Sequence, residues 1–125
     1  MIKILIADDE RDIRDLITFT LRFAGYEVVP TSNGEEAFQT AVNMPEKPQL
    51  ILMDVRMPKM TGYEACENLK KNDSTKDIPV VFLSAKGQES EVRTGLDVGA
   101  EEYILKHFSP DQLIDRIKVI LSRNK

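Results

Sequence analysis

Charged and hydroxyl side chains follow four apolar segments of this chain, each at the point where the segment ends. The residues in these positions are Asp8, Asp9, Asp54, Ser84 and Lys106. Carboxylates that share one place repel one another, so they need a bound cation or a raised pKa. Oxygen ligands without His or Cys suit a hard ion such as Mg²⁺. An ammonium and a hydroxyl beside them would bind the oxygens of a phosphoryl group.

Each of these residues also has an ordinary explanation when it is taken alone. Acids are favoured in the first turn of a helix, Asp54 could be a turn residue and Ser84 a helix N-cap. Lys106 could be a solvated lysine at the end of a strand. A complementary set at four separate segment ends is much less expected by chance. The combination therefore favours a functional site.

Hydrophobic periodicity predicts the elements that would position these residues. Five short, mostly apolar segments read as strands: Ile2–Ala7, Tyr26–Pro30, Leu50–Met53, Val80–Leu83 and Glu101–Leu105. A first helix is expected to bury Ile13, Leu16, Ile17, Thr20 and Leu21 and to end at Gly25. Asn33 is the expected N-cap of a second helix. Two further helices are predicted over about Tyr63–Lys71 and Glu89–Val98, and Ser109 with Pro110 should open the last one.

This alternation predicts an α/β fold, with residues 1–125 as one domain. Continuous apolar strands are typical of a parallel sheet covered by helices on both faces. The expected arrangement is (βα)5, a doubly wound five-stranded sheet in the flavodoxin-like order 2-1-3-4-5. Strands one and three are then neighbours at the topological switch point, where Asp8, Asp9 and Asp54 would meet.

Composition and motifs exclude several other classes of function. The 125 residues carry a net charge of -4, which argues against direct binding to nucleic acid. Cys66 is the only cysteine, and no apolar run approaches the roughly 18 residues of a membrane span. The expected location is the cytoplasm. Dinucleotide and nucleotide glycine motifs are absent, and the acids at Asp8, Asp9 and Glu10 would repel a flavin phosphate.

Together these motifs resemble the receiver domain of two-component response regulators, both stand-alone chemotaxis-type and N-terminal ones. The resemblance covers essentially the whole chain. It comprises the Ala-Asp8-Asp9-Glu10 segment, the Asp54-Val-Arg-Met-Pro58 segment with Gly62, the Ser84-Ala pair and Lys106.

The resemblance implies that Asp54 is the phosphoacceptor for a partner histidine kinase or phosphotransfer protein. It implies that Asp9, Asp54 and the backbone carbonyl of Arg56 bind Mg²⁺, with Asp8 acting through water. Ser84 and Lys106 would contact the phosphoryl group, and Tyr103 would change rotamer as Ser84 moves. A downstream protein or effector domain would read the fourth helix, the fifth strand and the fifth helix. Such a domain is a phosphoacceptor that takes part in its own dephosphorylation, and is not classed as an enzyme.

One position departs from the family pattern. The family usually has Pro after the lysine, commonly through a cis peptide, whereas this chain has His107. A cis bond to a non-proline residue costs about 2.5–4 kcal/mol. We therefore predict a trans Lys106–His107 bond and a shifted loop. A strained cis bond is the alternative.

Two other functions are compatible with parts of the pattern. A Mg²⁺-dependent phosphohydrolase of the haloacid dehalogenase type could use Asp54 as nucleophile, but it needs a second Asp two residues later, where this chain has Arg56. A pseudo-receiver could serve as a binding module without phosphorylation. The presence of Asp8, Asp9, Asp54 and Lys106 argues against that second alternative.

Overall fold

The computed structural model describes residues 1–84, 99–106 and 108–124. The strands in these ranges are β1 (Lys3–Ala7), β2 (Glu27–Thr31), β3 (Leu50–Asp54), β4 (Val80–Ser84) and β5 (Glu102–Leu105). The helices are α1 (Arg11–Phe23), α2 (Gly34–Asn43), α3 (Gly62–Lys71) and α4, the C-terminal helix (Pro110–Arg123). Within the described ranges, none of the helices is long and apolar enough to cross a membrane. The predicted helix over Glu89–Val98 and residue His107 lie outside these ranges, so the trans Lys106–His107 bond stays a prediction.

The strands form one parallel sheet in the order β2-β1-β3-β4-β5, which confirms the predicted topology. β3 lies between β1 and β4, and all five of its residues are buried. β2 is an edge strand, which explains how it accommodates Pro30, because a proline cannot donate a hydrogen bond to a second neighbouring strand.

The sheet separates two hydrophobic clusters. Ile51 and Met53 of β3 face a cluster that includes residues of α2 and α3. Leu50 and Leu52 face the opposite cluster, which includes residues of α1 and α4. Burial of one such side chain stabilises the fold by about 1.5–3 kcal/mol. Buried Cys66 packs in the first cluster as a small apolar residue.

Local signals in the sequence account for the helix ends. The Asn33 side chain accepts the Glu36 N–H at 2.8 Å at the start of α2. Ser109 and Gln112 form a capping box at the start of α4, with Pro110 at the first helical position. Gly25 has φ +98° and follows the C-cap of α1, where it can adopt the left-handed conformation without a Cβ clash.

The inner face of α1 differs from the predicted one at Leu16. Ile17, Thr18 and Leu21 are buried, whereas Leu16 is 48% exposed, so the prediction for Leu16 was wrong. The Thr18 hydroxyl donates to the carbonyl of Arg14 at 2.7 Å, and this bond allows a polar residue to turn inward. The buried face of α1 is thus rotated toward Thr18, relative to the face that the spacing of apolar residues predicted.

Candidate functional site

Strand register brings the predicted site residues to one edge of the sheet. Ala7 pairs with Met53, so Asp8 and Asp54 come at the same level of neighbouring strands. Asp54 and Ser84 are the last residues of β3 and β4, and Lys106 directly follows β5. The N–H of Lys106 donates to the Ser84 carbonyl at 2.7 Å, which continues the pairing of β4 and β5 beyond the strand end.

The ammonium of Lys106 lies among three carboxylates. Its Nζ is 3.1 Å from Asp8 Oδ2, 3.2 Å from Asp54 Oδ2 and 3.3 Å from Glu10 Oε1. The side chains of Asp8, Asp54 and Lys106 are 1%, 7% and 11% exposed. Opposite charges this close and this well shielded from water interact much more strongly than they would at the surface. Lys106 therefore holds the acidic edge together electrostatically.

A short loop after β1 presents Asp8. Its N–H donates to the Thr31 carbonyl at 3.1 Å, and its Oδ1 accepts the N–H of Glu10 at 2.9 Å. Oδ2 is fully buried and accepts no hydrogen bond from the described residues, and its contact with Lys106 is an ion pair. One carboxylate oxygen thus stabilises the loop, while the other remains directed at the site.

Burial disfavours the ionised forms of both aspartates. Desolvation, with the neighbouring charge of Asp8, raises the pKa of Asp54 from 3.8 to about 6, and the ammonium of Lys106 only partly opposes this shift. Desolvation also raises the pKa of Asp8. Desolvation disfavours the Lys106 ammonium, but the charges of Asp54 and Asp8 outweigh it and raise the pKa of Lys106. The lysine is therefore charged at every physiological pH.

The donor set fits a hard divalent cation. Asp8, Glu10 and Asp54 each offer a carboxylate oxygen, and these atoms all lie within 4.8 Å of one another. Among the described residues, the buried Oδ2 of Asp8 accepts no hydrogen bond and is paired only with the Lys106 ammonium, as expected of an atom available to a cation. Mg²⁺ prefers such oxygen ligands and usually keeps several waters. The observed trio contains Glu10, while Asp9 is exposed and is not part of it.

The remaining predicted residues lie on β4, on β5 and in the loop after β3. Ser84 is 4% exposed at the end of β4. Tyr103 lies opposite Phe82 in the pairing of β4 and β5, with ring centroids 6.4 Å apart, and packs against the α2 and α3 side of the sheet. Arg56 is exposed, and its N–H makes a long, 3.4 Å hydrogen bond to Asp54 Oδ1. Ser84 therefore ends its strand at the same edge as Asp54, and Arg56 contacts Asp54, while Tyr103 lies within the sheet, two residues before the end of β5.

Two contributions were missed from the sequence. Glu10 was read only as part of an acidic run, although its place three residues after β1 could have marked it as a partner of Lys106. Arg14 donates from Nη1 to the carbonyl of Asp8 at 2.8 Å. Its only sequence signal is its place on the first turn of the helix that follows the acids.

Gly62, the first residue of α3, packs directly against the end of β3. A Cβ at Gly62 would lie 2.3 Å from the backbone oxygen of Asp54, and the Gly62 N–H donates to the Val55 carbonyl at 2.9 Å. Only glycine lets the chain pass this close to the end of β3. This contact fixes the backbone beside Asp54.

A buried acidic pair with a lysine at the carboxyl edge of a doubly wound sheet is characteristic of phosphoacceptor signalling domains. Comparison with known proteins agrees with this class. The family described as the response regulator receiver domain matches residues 4–118, and the chain belongs to this family. Receiver domains are phosphoacceptor switches rather than enzymes in the usual sense.

Similar curated proteins include transcriptional regulatory proteins. The phosphate regulon transcriptional regulatory protein PhoB of Pseudomonas aeruginosa is 45% identical over 120 residues, which cover 96% of this chain and 52% of that protein. The alkaline phosphatase synthesis transcriptional regulatory protein PhoP of Bacillus subtilis is 41% identical, with 98% and 50% covered. The chain thus spans about half the length of these curated relatives.

Solved structures show the same fold. The chemotaxis response regulator CheY4 of Vibrio cholerae matches with a TM-score of 0.89 and 32% identity, covering 96% of this chain and 98% of that one. A complex of the response regulator protein TrrA of Thermotoga maritima with Mg²⁺ and BeF matches with a TM-score of 0.83 and 31% identity, covering 95% and 98%. The family assignment favours the phosphoacceptor prediction over the phosphohydrolase alternative.

Proposed function

We propose that Asp54 accepts a phosphoryl group from the phosphohistidine of a partner histidine kinase or phosphotransfer protein. The observation that carries this proposal is the burial of Asp54 beside Asp8 and Lys106 at the switch point of the sheet. A carboxylate is a sufficient nucleophile because phosphoryl transfer depends chiefly on in-line positioning and charge stabilisation.

An oxygen of Asp54 forms the new bond to phosphorus as the bond from phosphorus to the histidine nitrogen breaks. The electron pair of that bond stays on the imidazole, which takes up a proton from solvent. Lys106 and the hydroxyl of Ser84 stabilise the negative charge on the transferred oxygens. Later attack by water on phosphorus returns Asp54 to the free carboxylate and releases inorganic phosphate, in a reaction to which the chain's own residues contribute.

Mg²⁺ would supply charge neutralisation between the acids and the phosphoryl oxygens. We assign Asp9, Asp54 and the Arg56 carbonyl as its direct ligands, with Asp8 acting through water. The family resemblance supports Asp9. The proximity of Glu10 to Asp8 and Asp54 supports an accessory role for Glu10, which now contacts Lys106.

Phosphorylation would alter the face of the sheet that carries Tyr103. The new dianion attracts Ser84 and Lys106, and Tyr103 then changes rotamer in the space that Ser84 vacates. The surface read by a target protein or effector domain would be formed by the predicted helix Glu89–Val98, β5 and α4. The relatives named as transcriptional regulators support an effector of that kind in a longer protein.

The test is incubation with a small acyl phosphate and Mg²⁺, followed by intact-mass measurement. We expect one added phosphoryl group on the wild-type chain. No adduct should form when EDTA is present from the start, or in Asp54→Asn. The matched control is Asp73→Asn, the same change at a side chain that is 99% exposed, and it should still be phosphorylated. No adduct on the folded wild-type chain would favour a binding module. An adduct that persists in Asp54→Asn would place the acceptor elsewhere.

A further inference from the structure

Arg14 connects α1 to the loop that carries the acidic residues. Its guanidinium Nη1 donates to the backbone carbonyl of Asp8 at 2.8 Å. Its own N–H donates to the Glu10 carbonyl at 2.9 Å. The second bond is the ordinary backbone bond of the helix start, so the contact that depends on the arginine side chain is the one to Asp8.

Hydrogen bonds to three residues set the orientation of Asp8. The N–H of Asp8 is held by Thr31, its Oδ1 by the N–H of Glu10, and its carbonyl by Arg14. The only side chain among these partners that reaches in from the following helix is that of Arg14. With its backbone held on both sides of the Cα and its Oδ1 bonded to the Glu10 N–H, Asp8 places Oδ2 3.1 Å from the ammonium of Lys106.

We propose that Arg14 is a positioning residue for the cation-binding carboxylates and, through them, for phosphorylation of Asp54. The inference rests on the proposed function. Arg14 contacts neither the phosphoryl group nor the cation in this role. It holds the Asp8 carbonyl, so that the acids are already in position when a divalent cation binds. This lowers the entropic cost of cation binding.

The chain offers a matched control on the same helix. Arg22 also lies on α1 and donates from Nη2 to a backbone carbonyl six residues away, that of Val28, at 3.2 Å. Its bond lies toward the other end of the helix, next to β2 rather than next to the acids. If such an arginine only stabilises the fold, Arg22→Gln and Arg14→Gln should therefore have the same effects.

The first experiment measures Mg²⁺ affinity from the rise in unfolding temperature with Mg²⁺ concentration. We expect Arg14→Gln to weaken Mg²⁺ binding by about tenfold, the scale of effects seen when residues that orient metal ligands are replaced. Arg14→Lys, which keeps a donor and the charge, should recover part of the loss. Arg22→Gln should lower the unfolding temperature without changing Mg²⁺ affinity.

A second readout needs no metal. Amide hydrogen exchange at Glu10, whose N–H is bonded to Asp8 Oδ1, should accelerate in Arg14→Gln and stay unchanged in Arg22→Gln. Unchanged Mg²⁺ affinity and unchanged Glu10 exchange in a folded Arg14→Gln would overturn the positioning role while wild-type phosphorylation still stands. If the wild-type chain shows neither Mg²⁺-dependent stabilisation nor an adduct, the proposed function fails, and the positioning role fails with it.

Discussion

The ionised form of Asp54, which the proposed phosphorylation requires, lowers the stability of the fold. Its pKa is about 6 in the folded chain, against an ordinary value of 3.8. Between these values the folded state binds a proton more readily than the unfolded state does. Stability from this group is therefore greatest at low pH and is lost as the pH rises through about 4 to 6. At neutral pH the group is mainly the carboxylate, which is the form that the proposed nucleophilic role requires.

Asp54→Asn should consequently stabilise the metal-free protein at pH 7. Since one pKa unit corresponds to 1.36 kcal/mol, we expect the free energy of unfolding to rise by about 1–3 kcal/mol. The loss of stability between pH 4 and 6 should also become shallower. Urea unfolding at several pH values measures both quantities, with Asp73→Asn as the exposed control. A destabilised Asp54→Asn variant would mean that its ion pair with Lys106 outweighs the desolvation of the carboxylate.

Burial raises the pKa of Asp54, whereas the ammonium of Lys106 lowers it. Its charge lies 3.2 Å from Asp54 Oδ2 and favours the ionised form. Lys106→Met should therefore move the pKa of Asp54 further up, toward neutrality. A carboxyl carbon NMR titration of Asp54 measures the shift, and Lys118→Met, at an exposed position of α4, provides the control. An unchanged titration midpoint would show that the two groups are not electrostatically coupled in solution.

At the scale of elements, the sequence predicted what depends on local chemistry. Apolar runs marked the five strands, and the caps at Asn33 and Ser109 marked two helix starts, because these signals act between neighbouring residues. The rotation of α1 was missed because the Thr18 hydroxyl is satisfied by its own helix. The role of Glu10 beside Lys106 was missed because the two are 96 residues apart and meet only in the fold.

The start of α3 offers a test of how one element fixes the site. Gly62→Ala would place a Cβ 2.3 Å from the Asp54 backbone oxygen, so the helix must move away from β3. We expect a loss of about 2 kcal/mol or more in the free energy of unfolding, together with slower phosphorylation by a small acyl phosphate.

Gly25→Ala is the control for this substitution. Gly25 has φ +98° with no atom within 4 Å of the added Cβ, so alanine there strains the backbone without a clash. That variant should lose stability yet keep the wild-type phosphorylation rate. Equal rates in both variants would show that the contact of Gly62 with β3 does not control the position of Asp54.

At the scale of the whole molecule, cation binding and folding should be linked. The carboxylates that would hold Mg²⁺ come from the ends of β1 and β3, so they meet only in the folded chain. Above the dissociation constant, each tenfold increase in Mg²⁺ should add about 1.4 kcal/mol to the free energy of unfolding. Thermal or urea unfolding across a Mg²⁺ series measures this slope. Asp54→Asn should show a smaller gain, and an equal gain would place the cation away from Asp54.

The strand order was predictable because alternating strands and helices with right-handed crossovers leave few arrangements. The edge of the sheet at which the site residues meet followed from that topology. The distances there did not follow, since the place of the Lys106 ammonium depends on the packing of side chains from β1, β3 and β5 at once.

The position of Lys106 among the carboxylates also has a consequence for ion selectivity. Asp8, Glu10, Asp54 and the Lys106 ammonium, all ionised, have a summed formal charge of minus two, and the proposed ligand Asp9 makes it minus three. A divalent cation reduces this charge to minus one, whereas K⁺ or Na⁺ reduces it only to minus two. Monovalent salt should therefore weaken Mg²⁺ binding mainly by screening long-range attraction at the rim, rather than by replacing the ion. The built-in lysine thus lowers the excess negative charge that would remain at this edge once the proposed divalent ion is bound.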